Sequence, residues 1–244
     1  MLPLICQRAK AHADWFKDHS LLSGCPLFLK GSLMISGSRS SASRGPVQLA
    51  FIVEGHAEDS ALPRLAHRVI QYLDPSVQLR TAGRPFRLPR GRVVKTDELL
   101  RSVEKLAHGL PRGGGILIVF DADDSPTCVL GPQIQRWVNQ ARPDLAIGVV
   151  LAEREIEAWV LAALPSLAGV GCVPADVLAP DHPETIRDAK GRLNKLCRGG
   201  YRATLHLAPM FGALDVDQGR RGSRSFDKFV REVARVCGMT PPPQ

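Results

Sequence analysis

The stretch ILIVFDADD, residues Ile116–Asp124, is the part of the sequence that most constrains the fold. Its five consecutive apolar residues are rich in β-branched side chains, which is typical of a strand buried on both faces. The acidic residues that follow end the strand. Two further stretches, Val47–Val53 and Leu145–Leu151, are also apolar and are also followed closely by acidic residues. The sequence therefore predicts three buried strands of one mainly parallel sheet.

Helical periodicity fills the intervals between the predicted strands. In Asp59–Leu73, for example, apolar residues recur every three or four positions. This alternation predicts an α/β fold with a mainly parallel sheet, helices on both faces and a helical C-terminal part. The predicted helices are Asp59–Leu73, Thr96–His108, Pro132–Ala141, Ile156–Leu164, Glu184–Cys197, 203–211 and Ser225–Val236.

The two ends of the chain differ from this pattern. Residues 1–45 show no sustained period and end in a stretch rich in Ser, Gly and Arg. We expect a disordered or poorly ordered extension there, or a translation start assigned too early, with Met34 as the alternative start. Residues 46–238 are expected to form the α/β domain with its C-terminal helices. Residues 239–244 contain three prolines and are expected to form a disordered tail.

Composition favours a cytoplasmic protein that does not enter the membrane. The 244 residues are 44% hydrophobic, but no apolar run approaches the roughly 20 residues needed to span a bilayer. The apolar stretch at the N-terminus is too short for a signal peptide. The six cysteines form no C-x-x-C pair and no cluster with histidine, which argues against zinc and predicts reduced thiols.

The net charge of +8 is unevenly distributed along the chain. Residues 47–186 carry 14 basic and 17 acidic side chains, whereas residues 187–244 carry 12 basic and five acidic ones. A basic surface attracts polyanions such as nucleic acids because their counterions are released on binding. The same excess also occurs in proteins that bind no nucleic acid, so charge alone does not select a partner.

Acidic residues lie close behind each of the three predicted strands. Because the carboxyl ends of parallel strands meet at one edge of a sheet, we expect these acids to converge. Clustered carboxylates repel one another and are costly to bury, and a bound Mg²⁺ or Mn²⁺ would balance their charge. The candidate metal ligands are Glu54, Glu58, Asp121, Asp123, Glu155 and Glu157.

Local spacing supports this hypothesis. Asp121 and Asp123 would face the same side of an extended segment, since side chains alternate with a period of two. Glu54 and Glu58 would share one helical face if the first helix starts at once. The alternative is that each acid only caps or complements a helix N-terminus, as Asp59 could do for the first helix.

Two basic segments are candidate contacts to a nucleic-acid backbone. Residues 80–95 contain six basic side chains and no acid, with Phe86 among them as a stacking residue. The second segment surrounds Ser223–Phe226. The alternative is that both segments are solvated surface and that Ser225 is only a helix N-cap. The candidate residues are Arg84, Arg87, Arg90, Arg92, Arg221 and Arg224.

Four segments together resemble a known family. They read FIVEGHAEDSALPRL from Phe51, ILIVFDADDSP from Ile116, AEREIEAWVLA from Ala152 and SRSFDKFV from Ser223. A strand ending in Glu-Gly, followed by a strand ending in Asp-x-Asp, is similar to the Toprim domain of topoisomerases, primases and overcoming-lysogenization-defect nucleases. The full set is similar to a bacterial Toprim-like family, domain-of-unknown-function family 4276, over residues 47–236.

The resemblance implies roles for the first two groups of acids. Glu54 would be a metal ligand or a general acid and base, and Glu58 would be the second acid of the nuclease pattern. Asp121 and Asp123 would form the metal-binding Asp-x-Asp pair.

The resemblance also implies roles later in the chain. Glu155 and Glu157 match the Glu-x-Glu motif of the family. Related nucleases use a late basic residue to steady charge, which here would be Lys190 or Lys195, and no motif chooses between them. The implied catalytic residues are Glu54, Asp121 and, as the basic residue, Lys190.

The three acidic groups beside basic segments predict a Mg²⁺-dependent nuclease or related phosphotransfer enzyme that acts on nucleic acid, with DNA favoured over RNA. The resemblance implies a role in phage defence beside an ATPase partner. One alternative is a non-catalytic Toprim-like subunit that binds an ATPase. Another is a phosphatase of the haloacid-dehalogenase type with Asp121 as nucleophile. That fold places the motif on its first strand and needs a later Asp-Asp pair, and this sequence has neither feature.

Overall fold

A computed structural model of the chain describes residues 45–243. The expected N-terminal extension, residues 1–45, lies outside the described residues except for Gly45. At the other end, residues 239–243 contain no helix or strand, although the Met239 side chain is only 8% exposed.

The described residues form one five-stranded sheet. Its strands are β1 (Val47–Val53), β2 (Leu79–Thr81), β3 (Phe86–Arg87), β4 (Gly115–Asp121) and β5 (Ala146–Ala152). All the pairings are parallel, in the order β2–β1–β4–β5, and β3 pairs with the carboxyl end of β1. The three long strands match the predicted apolar runs to within one residue at each end, because local hydrophobicity decides where a doubly covered strand begins and ends.

Nine α-helices accompany the sheet in the described part of the chain. They are α1 (His56–Leu73), α2 (Arg90–Val93), α3 (Thr96–Ala107), α4 (Thr127–Ala141), α5 (Glu157–Ala162), α6 (Ala189–Leu196), α7 (Ala203–Ala213), α8 (Val216–Gly222) and α9 (Arg224–Val236). Within residues 45–243, no helix is both long enough and apolar enough to cross a bilayer.

Both faces of the sheet are covered. On β1, Leu49 and Phe51 pack into one hydrophobic cluster with residues of α1, α5, α7 and α9. The alternate residues Ala50 and Ile52 pack into a second cluster with residues of α3 and α4. This period of two places successive side chains on opposite faces. The predicted fold class is confirmed: α/β, with a mainly parallel sheet, helices on both faces and a helical C-terminal part.

Two helices begin five residues away from their predicted start, a larger difference than in the other predicted helices. α4 begins at Thr127, five residues before Pro132, so the proline lies inside the helix rather than at its first turn. α6 begins at Ala189 rather than at Glu184, because the side chain of Asp188 accepts the third backbone N–H of the helix at 2.8 Å. The shift frees Glu184 for contacts with α9.

Cys172 and Cys197 form a disulfide, so the expectation that all six cysteines are reduced is wrong for this pair. The two residues are separated by 25 positions and belong to no recognisable motif. They meet because the loop after α5 folds back against the carboxyl end of α6, where the Arg198 N–H also donates to the Cys172 carbonyl at 2.9 Å.

Candidate metal centre

The three acidic segments meet at one edge of the sheet. β1 and β4 are paired as far as Val53 and Val119, and β4 and β5 as far as Asp121 and Ala152. Because the strands are parallel, their carboxyl ends and the acids that follow lie side by side. The strand ends therefore converge as the sequence predicts.

Asp121 connects the first and third acidic segments. Its backbone N–H donates to Glu54 Oε2 at 3.4 Å, and its own Oδ1 accepts the backbone N–H of Ile156 at 2.8 Å. Ile156 directly precedes α5. These two contacts fix the Asp121 carboxylate between Glu54 and the beginning of α5.

The carboxylates at this edge act on one another electrostatically, and Asp123 and Glu155 contribute as well. Burial raises the pKa of Asp121 well above its ordinary value, and the charges of Glu157, Glu58 and Glu54 raise it further. Burial is also the main cause of the raised pKa of Glu54 and of Glu157. Desolvation and like charges both disfavour the ionised form. We call these four side chains, Glu54, Glu58, Asp121 and Glu157, the carboxylate cluster.

Glu58 contributes the least satisfied atom of the cluster. Its Oε2 is buried and accepts no hydrogen bond from any residue within 45–243. The oxygen lies over Gly55, since a Cβ placed on that glycine would be only 2.7 Å from it. A buried carboxylate oxygen without a donor is unfavourable unless a cation or a water satisfies it. This orphaned oxygen fits a cation-binding role for the cluster.

Glu54 and Glu58 do not share a helical face as expected, because α1 begins at His56. Glu54 therefore lies on the turn between strand and helix, and Glu58 lies in the first turn of α1. The small residue Gly55 between them lets the Glu58 carboxylate fold back towards the sheet edge. The turn brings the two acids within electrostatic reach of each other, as the effect of Glu58 on the pKa of Glu54 indicates.

Glu157 is held by residues from later in the chain. It is only 5% exposed, and the Tyr201 hydroxyl donates to its Oε1 at 3.4 Å. The Lys190 ammonium acts against burial and lowers the pKa of Glu157. Burial and the charge of Glu157 raise the pKa of Tyr201, so the phenol remains a neutral donor. No motif marks Tyr201 in the sequence, because its role depends on a contact 44 positions away.

Asp123 and Glu155 have partners outside the cluster. β4 ends at Asp121, and Asp123 has a left-handed backbone with φ of 49°, so the expected alignment of the Asp-x-Asp pair on one side is wrong. Instead, Asp123 Oδ2 pairs with Arg90 Nη1 at 2.8 Å. Glu155 Oε2 accepts the backbone N–H of Lys190 at 2.9 Å. Within residues 45–243, no three His, Cys, Asp or Glu side chains are arranged as a ready set of metal ligands.

Arg90 organises the loop that follows β4. Besides Asp123, its guanidinium donates to the Asp121 carbonyl and, through Nη2, to Ser125 Oγ at 2.6 Å. Its side chain is only 20% exposed. Arg90 was expected to contact nucleic acid, and the structure uses its donors to hold the Asp121–Ser125 loop.

The other candidate residues of the first basic segment differ in how far their charge is satisfied. Arg92 pairs with Glu98 at 3.3 Å, and Arg84 lies 3.5 Å from Asp59 although its side chain is 91% exposed. Arg87 is exposed and contacts His56 Nε2. One face of Phe86 is occupied, since Lys105 Nζ lies 5.2 Å from the ring centroid.

The Ser223–Phe226 segment has a structural role. Ser223 is the N-cap of α9, and its hydroxyl accepts the Phe226 N–H at 3.0 Å. The Ser225 hydroxyl donates to Glu184 Oε1 at 2.6 Å and accepts the Trp159 indole N–H at 2.7 Å. The alternative interpretation of a capping segment therefore describes its contacts, although the cap is Ser223 rather than Ser225. Arg221 and Arg224 remain exposed on α8 and α9.

An open cleft of about 600 Å³ lies next to the first turn of α1. His56, Asp59, Arg84 and Thr204 are among its lining residues. None of the four residues of the carboxylate cluster lines the cleft, so the cleft lies beside the cluster and does not contain it.

Comparisons of the chain with protein-family models, with curated proteins and with solved structures found no match.

Proposed function

We propose that this protein is a Toprim-like enzyme that hydrolyses phosphodiester bonds of nucleic acid with Mg²⁺ or Mn²⁺ as cofactor. The observation that carries the proposal is the buried, unpartnered Glu58 Oε2 among three further carboxylates whose pKa values burial raises. Burial and like charges disfavour the ionised forms of Glu54, Asp121 and Glu157, and a hard divalent cation, which prefers carboxylate oxygen, would offset this effect.

The carboxylate cluster would hold the cation. When bound, a divalent ion polarises a phosphodiester oxygen and lowers the pKa of a coordinated water. The residues around the cluster position its members: the Ile156 N–H orients Asp121, and the Tyr201 hydroxyl orients Glu157. Asp123 and Glu155 would join the ligand set by exchanging their present partners for the cation.

Lys190 is the stronger candidate for the basic residue that steadies charge on the phosphate. Its ammonium is close enough to Glu157 to lower the pKa of that acid, and its backbone N–H is bound to Glu155. Lys195 lies farther along α6, is exposed, and forms no ion pair within residues 45–243. Lys190 would therefore stand beside the scissile phosphate, and Lys195 at a distance from it.

The resemblance to Toprim-like proteins carries two further parts of the proposal, an ATPase partner and a role in phage defence. A DNA substrate and a cytoplasmic location complete it, and the location is inferred from composition. One observation favours the second candidate, a non-catalytic Toprim-like subunit. Asp123 is held by Arg90, and the acids at the edge form no ready ligand set within residues 45–243. That candidate predicts weak metal affinity and a function indifferent to Asp123→Ala.

Metal titration followed by a cleavage assay tests the proposal. We expect wild-type protein to bind Mn²⁺ in calorimetric titration and to cleave labelled DNA only with a divalent ion. Asp121→Asn is expected to weaken Mn²⁺ binding about tenfold or more and to abolish cleavage. The matched control is Asp144→Asn, because Asp144 lies before β5, at the opposite end of that strand, and pairs with Arg142.

Two results would contradict the proposal. One is the absence of measurable Mn²⁺ and Mg²⁺ binding by the wild-type protein. The other is metal binding or cleavage that survives Asp121→Asn as well as it survives Asp144→Asn. Weak metal affinity, together with no cleavage of DNA or RNA, would favour the non-catalytic subunit.

A further inference from the structure

A basic segment that the sequence did not single out as a nucleic-acid contact lies beside the carboxylate cluster. Residues 189–202 contain five cationic side chains and no acidic one, and all five cations are exposed. We call these side chains the basic ridge: Lys190, Arg192, Lys195, Arg198 and Arg202.

The charges of the basic ridge are only slightly neutralised by the protein, through the electrostatic effect of Glu157 on Lys190. Within residues 45–243, none of the five forms an ion pair. Other arginines contrast with them: Arg220 is 11% exposed and pairs with Asp227 at 2.8 Å, and Arg142 is bound by two acids. Like charges three or four positions apart on a helix repel each other. Apart from Lys190, which acts on Glu157, the cations of the ridge therefore face solvent and are available to an external anion.

Both ends of this segment return to the same acid of the carboxylate cluster. At its beginning, the Lys190 ammonium acts on Glu157, and the Lys190 N–H donates to Glu155 Oε2 at 2.9 Å. Near its end, the Tyr201 hydroxyl donates to Glu157 Oε1 at 3.4 Å. The segment that carries the five cations therefore begins and ends beside the cluster.

The segment is held rigidly from below. Leu193 is fully buried, the Cys172–Cys197 disulfide anchors the carboxyl end of α6, and Asn194 Oδ1 accepts the Tyr201 N–H at 2.9 Å. A surface that is already ordered loses little conformational entropy when a ligand binds. The ridge is therefore a preformed platform.

The chemistry of the ridge selects a hydrophilic polyanion. None of the exposed large hydrophobic residues within 45–243 belongs to residues 189–202, so the ridge offers no apolar anchor for a membrane or for an apolar protein surface. A row of exposed Arg and Lys side chains suits repeated phosphates, with Arg able to bind phosphate oxygens through two parallel donors.

We propose that the basic ridge binds the sugar–phosphate backbone of a nucleic-acid strand and leads it to the carboxylate cluster. This assignment of a substrate path rests on the proposed function of the cluster. Binding along the ridge is expected to be strongly dependent on salt and independent of base sequence, because phosphates carry no sequence information. In this path the ridge takes the place of Arg90 and Arg92, since acids of the protein bind both of those arginines.

The test measures binding of labelled single-stranded DNA, duplex DNA and RNA by fluorescence anisotropy in EDTA. The ridge variant is Arg192→Gln, Lys195→Gln and Arg198→Gln together, leaving Lys190 intact. The matched control removes three exposed cations from other helices, which lowers the net charge equally. These are Arg64→Gln, Arg101→Gln and Arg136→Gln on α1, α3 and α4.

We expect the ridge variant to lose affinity about tenfold or more at 0.1 M salt for at least one of the three probes, and the control to change it by about twofold or less. The slope of log affinity against log salt concentration should become shallower by about 2 to 3 in the ridge variant only. Preference among the three probes identifies the class of nucleic acid. Circular dichroism of both variants establishes that they fold.

Three outcomes overturn the proposal: equal loss in both variants, no loss in the ridge variant, or no binding of any probe by the wild-type protein. Mn²⁺ titration of the ridge variant separates this proposal from the proposed function. Unchanged Mn²⁺ affinity with lost DNA affinity supports the ridge. If the ridge variant binds DNA normally and still binds metal and cleaves, the proposed path along the ridge is wrong. The proposed enzymatic function would not be affected.

Discussion

Gly55 has an extended backbone, with φ of −121° and ψ of −176°, that any residue can adopt. Gly55 matters because the Glu58 side chain lies against it: a Cβ at this position would be 2.7 Å from Glu58 Oε2. The carboxylate is the far end of a flexible side chain and would move away rather than disrupt α1. At the residue scale, therefore, a glycine fixes where one acid of the cluster points.

This contact gives a prediction for Gly55→Ala. The added methyl group is expected to displace the Glu58 carboxylate and to weaken Mn²⁺ binding about tenfold, while the melting temperature changes little. Calorimetric titration and a thermal melt measure the two effects. Gly91→Ala is the control, because nothing lies within 4 Å of a Cβ at Gly91. Unchanged metal affinity in Gly55→Ala would show that the position of Glu58 does not matter for binding.

Asp121→Asn is expected to stabilise the protein in EDTA, although it removes metal binding. The folded-state pKa of Asp121 is raised above its ordinary value of 3.8, so the folded state binds the proton more tightly than the unfolded state. The contribution of Asp121 to stability is present below pH 3.8 and is lost as the pH rises through the folded-state pKa. Asparagine keeps the oxygen that accepts the Ile156 N–H and carries no charge.

Urea denaturation across a pH series checks this prediction. The free energy of unfolding of Asp121→Asn relative to wild type should grow above pH 3.8 and level off once Asp121 is ionised. Each unit of pKa elevation corresponds to about 1.4 kcal/mol. Asp144→Asn should gain nothing, since Arg142 lowers the pKa of Asp144. If Asp121→Asn is no more stable than wild type at neutral pH, the ionised Asp121 carboxylate does not destabilise the fold, and this electrostatic description of the cluster is wrong.

At the scale of elements, the N-terminus of α9 is joined to the sheet edge through Glu184. Glu184 accepts hydrogen bonds from the Ser223 hydroxyl at 2.7 Å and from the Ser225 backbone N–H at 2.9 Å. The Ser225 hydroxyl also accepts the Glu153 N–H at 3.2 Å, directly after β5. Phe226 and Phe229 pack against Trp159 of α5, with ring centroids 5.6 and 5.3 Å away. α9 thus supports the segment that carries the third group of acids.

Glu184→Ala is expected to loosen this connection. The change leaves several donors at the start of α9 without their charged acceptor, so we expect a loss of about 2–3 kcal/mol in the free energy of unfolding. Urea denaturation measures it. Asp181→Ala is the control, because Asp181 is exposed and lies in the same loop. A loss of less than about 0.5 kcal/mol would mean that water replaces Glu184 as acceptor.

At the scale of the whole molecule, charge is segregated around a shared centre. The parallel sheet directs the acids of three strands to one edge, and the helical C-terminal part adds a basic ridge beside them. Attraction between acidic and basic surfaces of the same protein is limited here, since the ridge forms no ion pair within residues 45–243. The acidic edge, which would bind the cation, and the basic ridge, which would bind the nucleic acid, thus lie beside each other.

The disulfide gives a prediction for the stability of the whole domain. Cys172 and Cys197 are 25 positions apart, and closing a loop of this size is expected to stabilise the fold by about 3 kcal/mol. Reductant should therefore lower the midpoint of urea denaturation of the wild-type protein. The Cys172→Ser, Cys197→Ser double variant should have the same midpoint as the reduced protein, and reductant should not change that midpoint. Equal midpoints with and without reductant would show that the bond contributes nothing.

The sequence by itself determined the three long strands, the α/β class and the position of the acids, but not the short strands β2 and β3. Hydrophobic runs such as Ile116–Phe120 bury a strand wherever it lies in the sheet, and the parallel arrangement sends the acids behind each strand to the same edge. These properties follow from local pattern and chain direction. Recognisable acids also made Glu54, Asp121 and Glu157 accessible to prediction before any coordinates.

Only the tertiary structure decided which acids are satisfied and which are not. Arg90 forms a salt bridge with Asp123, and the α6 backbone donates a hydrogen bond to Glu155. Glu58 keeps a buried carboxylate oxygen without a hydrogen-bond donor among the described residues. Tyr201 reaches its acid across 44 positions, and the Ser223 hydroxyl reaches Glu184 across 39. Side-chain hydrogen bonds form over about 3 Å in space, whatever the distance along the chain, so no local pattern of residues encodes them.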